Sequence, residues 1–286
     1  MTHKHYFPAA LAALVLAAPL AEAQISITSG LGLTYSQDFN NLLRTTTGEV
    51  WVNDSDAVSA NDSPRLIGLS GWYAGSFGNT TTTPNIRAGT GSSTTGSYYS
   101  FGSAAAEDRA LGTMPTDASA SASMRIGARF VNDTGEIISG FSFTYDGEQW
   151  RKAQLTAPQN NQFVVAYGIF SAGAGSLGAA GFSASLAGAT FNTPVDGGDN
   201  VGSALDGNDG VNRVADLGET VSDLLVMPGE EIWLRWFDSN SSGADHGIGI
   251  DNFSINFNTS PVPEPSAGAL LGLGLAALIS RIRTRK

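Results

Sequence analysis

The chain has 286 residues, with 26 acidic against 15 basic side chains, a net charge of −11 and no cysteine. An acidic surface repels phosphate backbones and argues against a nucleic-acid partner. Without thiols there are no disulfides or thiolate metal sites, and beyond residue 5 the one histidine is His246, which excludes a three-histidine zinc centre.

At the N-terminus Lys4 precedes an apolar stretch from Phe7 to Leu20, and Ala21-Glu22-Ala23 forms a small-x-small cleavage site. This predicts a secretory signal peptide over residues 1–23 and a mature start at Gln24. Between residues 24 and 265 ten Lys/Arg face twenty-five Asp/Glu, a net charge of −15, and the stretch is long enough to bury one core.

Short apolar runs then alternate with Gly, Ser, Thr and Asn turns, the pattern of an all-β protein. Ile25–Thr28 and Tyr35–Leu42 open it. Asn53 to Arg65 is polar and turn-forming, Leu66–Ala74 carries Trp72-Tyr73, and Thr80–Thr95 reads as a low-complexity loop. Ser97–Phe101 and Arg109–Thr113 are short strands. Met124–Val131 alternates an apolar face with one bearing Arg125 and Arg129, as in a half-buried strand. With the turn at Asn132-Asp133-Thr134-Gly135 and the returning Ile137–Tyr145, it predicts a hairpin. Asp146-Gly147 predicts a further turn, followed by Gln149–Leu155 and Phe163–Phe170. Ser171–Thr190 is rich in small residues and reads equally as a loop or a strand pair. Asp196–Asn212 is acidic turn sequence. Ser222–Val226 and Glu231–Phe237 flank a Pro228-Gly229 turn, and Ile248–Phe257 is the last strand.

The chain ends in three parts: Pro263-Glu264-Pro265, an apolar run over residues 266–280, and Arg281, Arg283, Arg285 and Lys286. As a helix the 15-residue run spans about 22 Å at ~1.5 Å per residue, short of the ~30 Å hydrocarbon core. Snorkelling arginines extend it, and the basic end places the C-terminus inside. This tail resembles the PEP-CTERM sorting signal of Gram-negative bacteria. The resemblance covers residues 261–286 and implies recognition by an exosortase, a membrane transpeptidase-like enzyme that cuts near the motif. It implies an inner-membrane intermediate through residues 266–280, followed by release or re-anchoring at the cell surface.

The body is similar to a secreted β-sandwich module that recurs with this tail. The stretches carrying the similarity are Asp38-Phe39-Asn40, Gly147-Glu148-Gln149-Trp150-Arg151, Ala204-Leu205-Asp206-Gly207-Asn208 and Leu234–Asp238 through Asp245–Phe253. It implies an antiparallel jelly-roll or lectin-like sandwich over residues 24–260, with exopolysaccharide or biofilm matrix as partner. It implies no established activity, and fold alone supplies none.

Four sets of residues are candidates for chemistry or binding. Asp238, Asn240 and Asp245 place oxygen ligands in one Gly-containing loop suited to calcium, although Asp, Asn and Gly also simply make turns. Ile250-Asp251-Asn252-Phe253 resembles the last strand of jelly-roll carbohydrate-binding modules, in which an Asp shares a structural calcium with groups near the first strand. Asp38 and Asn40 would be those partners; otherwise Asp251 pairs with an arginine or backbone amides. Glu148 is the acid on which a carboxylate hydrolase would rest, with a buried Glu148–Arg pair as the preferred reading. Trp72 and Tyr73 are the candidate exposed sugar-stacking aromatics, and Trp233 and Trp236 fall on opposite faces of one strand.

Overall fold

The structure is a computed structural model that describes residues 24–29, 33–45, 49–50, 52–53, 64–65, 69–77, 85–116 and 123–263. The signal peptide, Trp51, Glu264, Pro265 and the run 266–280 lie outside the described residues. In chain order the strands are β1 (Ile25–Ile27), β2 (Thr34–Gln37), β3 (Glu49–Val50), β4 (Val52–Asn53), β5 (Pro64–Arg65) and β6 (Trp72–Phe77). Next come β7 (Asn85–Gly89), β8 (Ser97–Phe101), β9 (Ala110–Met114), β10 (Ser123–Asn132), β11 (Ile137–Lys152) and β12 (Gln162–Phe170). The last are β13 (Phe191–Asn192), β14 (Ser203–Ala204), β15 (Arg213–Val221), β16 (Glu231–Ser239) and β17 (Gly247–Ser260).

They form two sheets packed face to face, an all-β sandwich. The first runs β13-β12-β16-β10-β6-β5-β4, with β1 also on β10. The second runs β14-β11-β17-β9-β8-β7-β3, with β15 on β11 and β2 on β17. Among the described residues, pairing is antiparallel except for two parallel pairs, β1 with β10 and β7 with β8. Among the described residues no helix is long and apolar enough to cross a membrane.

The core between the sheets follows from period-two alternation. Met124, Ile126, Ala128 and Phe130 of β10 and Leu234 and Trp236 of β16 face Phe141, Phe143 and Tyr145 of β11 and Phe253, Ile255 and Phe257 of β17. Its centre is aromatic: Trp72 lies 5.7 Å from Trp236, 4.8 Å from Phe39 and 5.4 Å from Phe253 between centroids. Each such pair adds about 0.5–1.5 kcal/mol beyond the area it buries. In β17 the inward phase passes from Ile248 and Ile250 to Phe253, an odd step. Asn252 absorbs it with φ 49°. Asparagine tolerates that left-handed conformation, so the strand resumes with its apolar side still inward.

Several sequence expectations are corrected. The hairpin of residues 124–145 is not one. Its strands lie in different sheets, because β10 is saturated by β16 and β6 and β11 by β17 and β15. The turn at 132–136 is an arch from one sheet to the other, braced where Asn132 Nδ2 donates to Glu136 O and Val226 O, both at 2.8 Å. Asp146-Gly147 is not a turn but part of the continuous β11, which bends through register shifts at Thr144/Asp146 and Tyr145/Gly147. A strand falls at residues 213–221, ahead of the expected 222–226, and β7 lies inside the expected loop 80–95.

Trp72 and Tyr73 are buried, not exposed. Trp72 points into the core. Tyr73 points outward, but residues 171–186 fold over that face. This flap puts Leu177 beside Tyr73 and Trp233, and its backbone carbonyl accepts from Arg235 Nη1 at 3.0 Å and Arg125 Nη1 at 3.3 Å. Phe182 lies under the Arg235 guanidinium, 3.8 Å from ring centroid to Cζ. Trp233 and Trp236 do occupy opposite faces, and both are buried because both faces are covered. The small-residue stretch is therefore a lid on one sheet.

Candidate functional site

On the outer face of the second sheet, β7, β8 and the loops beside them enclose a cleft of about 480 Å³. Arg44, Arg87 and Arg109 line it, with Tyr99 and the hydroxyl residues Thr90, Ser92, Ser93 and Ser103. Three of the ten basic residues of the body thus meet at one opening in an acidic protein.

Arg109 is the buried member. Its Nε donates to Ser100 Oγ at 2.8 Å, and its Nη atoms donate to the carbonyls of Ser100 and Ser103. Burial, with the charge of Arg44 second, holds its guanidinium below the usual arginine range. It braces the cleft floor. Arg44 sits at the rim, bonded through Nη2 to Asn40 O at 3.2 Å and paired with exposed Glu107 at 3.4 Å. Arg87 is exposed and makes no ion pair among the described residues. Behind the opening, Arg151 Nη1 donates to Gly91 O at 3.0 Å and fixes the loop that carries the serines. Gly91 needs its bare α-carbon: φ is +78°, and a Cβ would stand 1.7 Å from Trp150 O. Tyr99, pushed up by burial despite Arg87 and Arg151 nearby, donates its hydroxyl to Thr95 O at 2.5 Å. The cleft offers guanidinium and hydroxyl donors, the chemistry of carboxylate and sugar recognition.

The sequence reading missed Arg44, Arg87 and Arg109. The alternation Ile86-Arg87-Ala88 within a stretch that looked like loop was the available signal.

Beside the cleft on the same face stand Glu148 and Asp251. Glu148 is 1 % exposed and Asp251 2 %. The expected Glu148–Arg pair does not form; Glu148 Oε2 accepts from Trp150 Nε1 at 2.8 Å, and Oε1 has no partner. Desolvation, then the charge of Asp251, pushes the Glu148 carboxyl up to about 8. Asp251 is pushed up to about 7, by burial first and then by Asp108, Asp146 and Asp38. Asp146 is better served, accepting from Asp216 N and from Asn252 Nδ2, both at 3.0 Å, with Arg213 at 3.7 Å.

Asp38 therefore does lie within electrostatic reach of Asp251. Asn40 Oδ1 is turned elsewhere and accepts from Arg109 N at 2.9 Å, and Asp38 Oδ1 caps Asn40 N at 3.2 Å. Among the described residues no three His, Asp and Glu side chains gather tightly enough to hold an ion. Glu148 is shut away from solvent.

The loop residues Asp238 and Asp245 are brought together, at one end of the core rather than on the surface. Asp238 is fully buried and Asp245 nearly so. Pro263 is exposed just beyond β17.

Residues 261–286 match the model of the PEP-CTERM protein-sorting motif. The chain thus ends in that motif, the mark of an exported protein with a C-terminally membrane-anchored intermediate. No curated protein matches the sequence. Among solved structures the chain is similar to the CBM22-1 xylan-binding domain of a Paenibacillus barcinonensis protein, at 8 % identity over 77 % of this chain and 99 % of that one, TM-score 0.31. It is also similar to the K3 cleaved adhesin domain of Lys-gingipain from Porphyromonas gingivalis, at 10 % identity over 78 % and 98 %, TM-score 0.31. At these identities and scores neither likeness transfers a ligand.

Proposed function

We propose that this exported β-sandwich binds acidic polysaccharide without cleaving it, as a component of the cell surface or extracellular matrix that an exosortase processes at Pro263-Glu264-Pro265. The observation that carries the reading is the cleft: Arg87 exposed and unpaired among the described residues, beside Arg44 and a wall of hydroxyls, on a chain whose body is strongly acidic. An overall negative charge disfavours anionic polymers in general, so a local cationic cleft selects by position as well as by sign. Guanidinium groups suit the carboxylate of a uronic acid, and serine and threonine hydroxyls suit the ring oxygens around it. A hydrolase built on Glu148 is not favoured, because that carboxyl is shut away from solvent.

Affinity electrophoresis of the purified protein in gels containing polygalacturonate or a neutral glucan tests the proposal. Retardation is expected in the acidic gel alone, and weakens as salt is raised. Arg87→Ala is expected to reduce affinity about tenfold, the cost of one exposed charge-assisted contact of roughly 1.5 kcal/mol, and to leave the thermal midpoint in place. Equal retardation by both polymers, or none by either, refutes the reading.

A further inference from the structure

Asp238 lies one residue from the end of β16, where it pairs with Met124 of β10 and Phe163 of β12. It shares the inward phase of Leu234 and Trp236, so its side chain points between the sheets. There Thr113 of the opposing sheet donates Oγ–H to Asp238 Oδ2 at 2.6 Å, while Oδ1 is buried with no hydrogen-bond partner. The loop leaving β16 turns through Gly243, φ +98°, and returns Asp245 to the same place. Asp245 Oδ1 accepts from Asn161 Nδ2 at 2.8 Å and from Ser241 N at 2.9 Å, and Asn161 also touches Asp238. Two carboxylates from the two ends of one loop thus close one end of the core.

The groups against Asp238 are a hydroxyl, an amide and a second carboxylate, none of them cationic. His246, the adjacent base, does not supply the charge. Its Nδ1 accepts from Ala153 N at 3.1 Å and from Gln149 Nε2 at 3.0 Å, which leaves Nε2–H to donate to Gln159 O at 2.9 Å. That is the neutral tautomer, and burial favours it by lowering the imidazole pKa. Ionised, Asp238 would be a buried charge beside a second carboxylate with no cation facing it among the described residues, at a cost of several kcal/mol, so it needs a shared proton or a metal.

We propose that the Asp238–Asp245 loop binds one divalent cation of the calcium type, which ties the two sheets together at this end of the core. Two carboxylates match its charge, and the amide oxygen of Asn240 with water completes an oxygen shell of the kind calcium accepts. An exported protein meets calcium at concentrations where extracellular modules with dissociation constants of about 10⁻⁴–10⁻³ M are filled. The site is separate from the cleft and does not depend on glycan binding.

Calorimetric titration of the chelator-stripped full-length protein with calcium chloride, paired with thermal denaturation, tests this. One ion per chain is expected, and saturating calcium raises the midpoint by about 5 °C or more. Asp238→Asn removes the buried charge, so it is expected to melt higher than the unsubstituted protein in chelator and to show no response to calcium. Asp245→Asn, which keeps Asp238, binds at least tenfold more weakly and serves if the first variant does not fold. Asp251→Asn is expected to bind as the unsubstituted protein does. Absence of both heat and midpoint shift at 10⁻² M calcium overturns the proposal in favour of a protonated Asp238. Full binding by Asp245→Asn or loss in Asp251→Asn overturns the location.

Discussion

Raising the pH from 5 to 9 is expected to destabilise this protein, the reverse of ordinary acid denaturation. The effect comes from Glu148, whose carboxyl stands at about 8 in the fold against an ordinary 4.5. Between those values the folded state holds a proton that the unfolded chain has released, so stability falls as pH rises. The contribution is complete below about pH 4.5 and lost as the pH passes 8. A shift of this size corresponds to something on the order of 4 kcal/mol, or roughly 10 °C in midpoint for a body of this length.

The groups facing Glu148 add to the loss, while the neutral His246, whose pKa burial lowers, offsets part of it below about pH 6.5. Asp251 on β17 and Asp108 ahead of β9 are both acidic, and Arg213 on β15 is the opposing charge beside it. Glu148 and Asp251 interact, so the decline between about pH 7 and 8 belongs to the pair. Glu148→Gln keeps the Trp150 hydrogen bond acceptor and removes the ionisation. Its midpoint is expected to fall less steeply over the same range, the remaining slope coming from the other raised acids, Asp251 and Asp238. A midpoint for the unsubstituted protein that rises from pH 5 to 9 would refute this account.

The second large effect is expected at Glu231, which is fully buried under the lid on the first sheet. It accepts from Arg129 Nη2 at 2.7 Å, from Trp233 Nε1 at 2.9 Å and from Gly173 N. One carboxylate thus neutralises a buried guanidinium, holds a tryptophan and pins the start of residues 171–186. Glu231→Ala leaves Arg129 charged and unpaired in the interior, at a cost of about 3–5 kcal/mol. Urea denaturation measures that loss, and tryptophan emission is expected to shift to the red as the lid lifts from Trp233. In Arg129→Met combined with Glu231→Leu most of the loss is expected to return, because no orphan charge remains. A loss under about 1 kcal/mol in the single variant would mean that the lid is held by its apolar contacts alone.

The same lid marks where the sequence stopped being legible. Alternation assigned Trp233 and Trp236 to opposite faces. What alternation does not encode is which segment covers an outward face. Tyr73 looked exposed because its cover, a run of Gly, Ala and Ser around Leu177, carries almost no apolar periodicity of its own. The turn at Asn132–Gly135 was equally visible, yet a hairpin and an arch begin with the same turn residues; only the saturation of β10 by its neighbours separates them. The acids show a similar division. That Asp238 and Asp245 flank one Gly-containing loop was visible in the sequence, whereas the inward direction of Asp238 depends on the register of β16. For the cleft, the arginines come from positions 44, 87 and 109, and no local pattern announces a site assembled from three distant segments.

The position of β17 has a consequence in time. It pairs with β11 on one side and with β9 and β2 on the other, so the last strand made is an interior strand of its sheet. A chain emerging N-terminus first cannot close the second sheet until residue 260 is out, and most of its pairings are long-range and slow to form. Pro263 follows by three residues. Completion of the fold and delivery of the sorting tail to the membrane are therefore nearly simultaneous events, and a chain cut short before β17 would carry neither a finished sandwich nor an address.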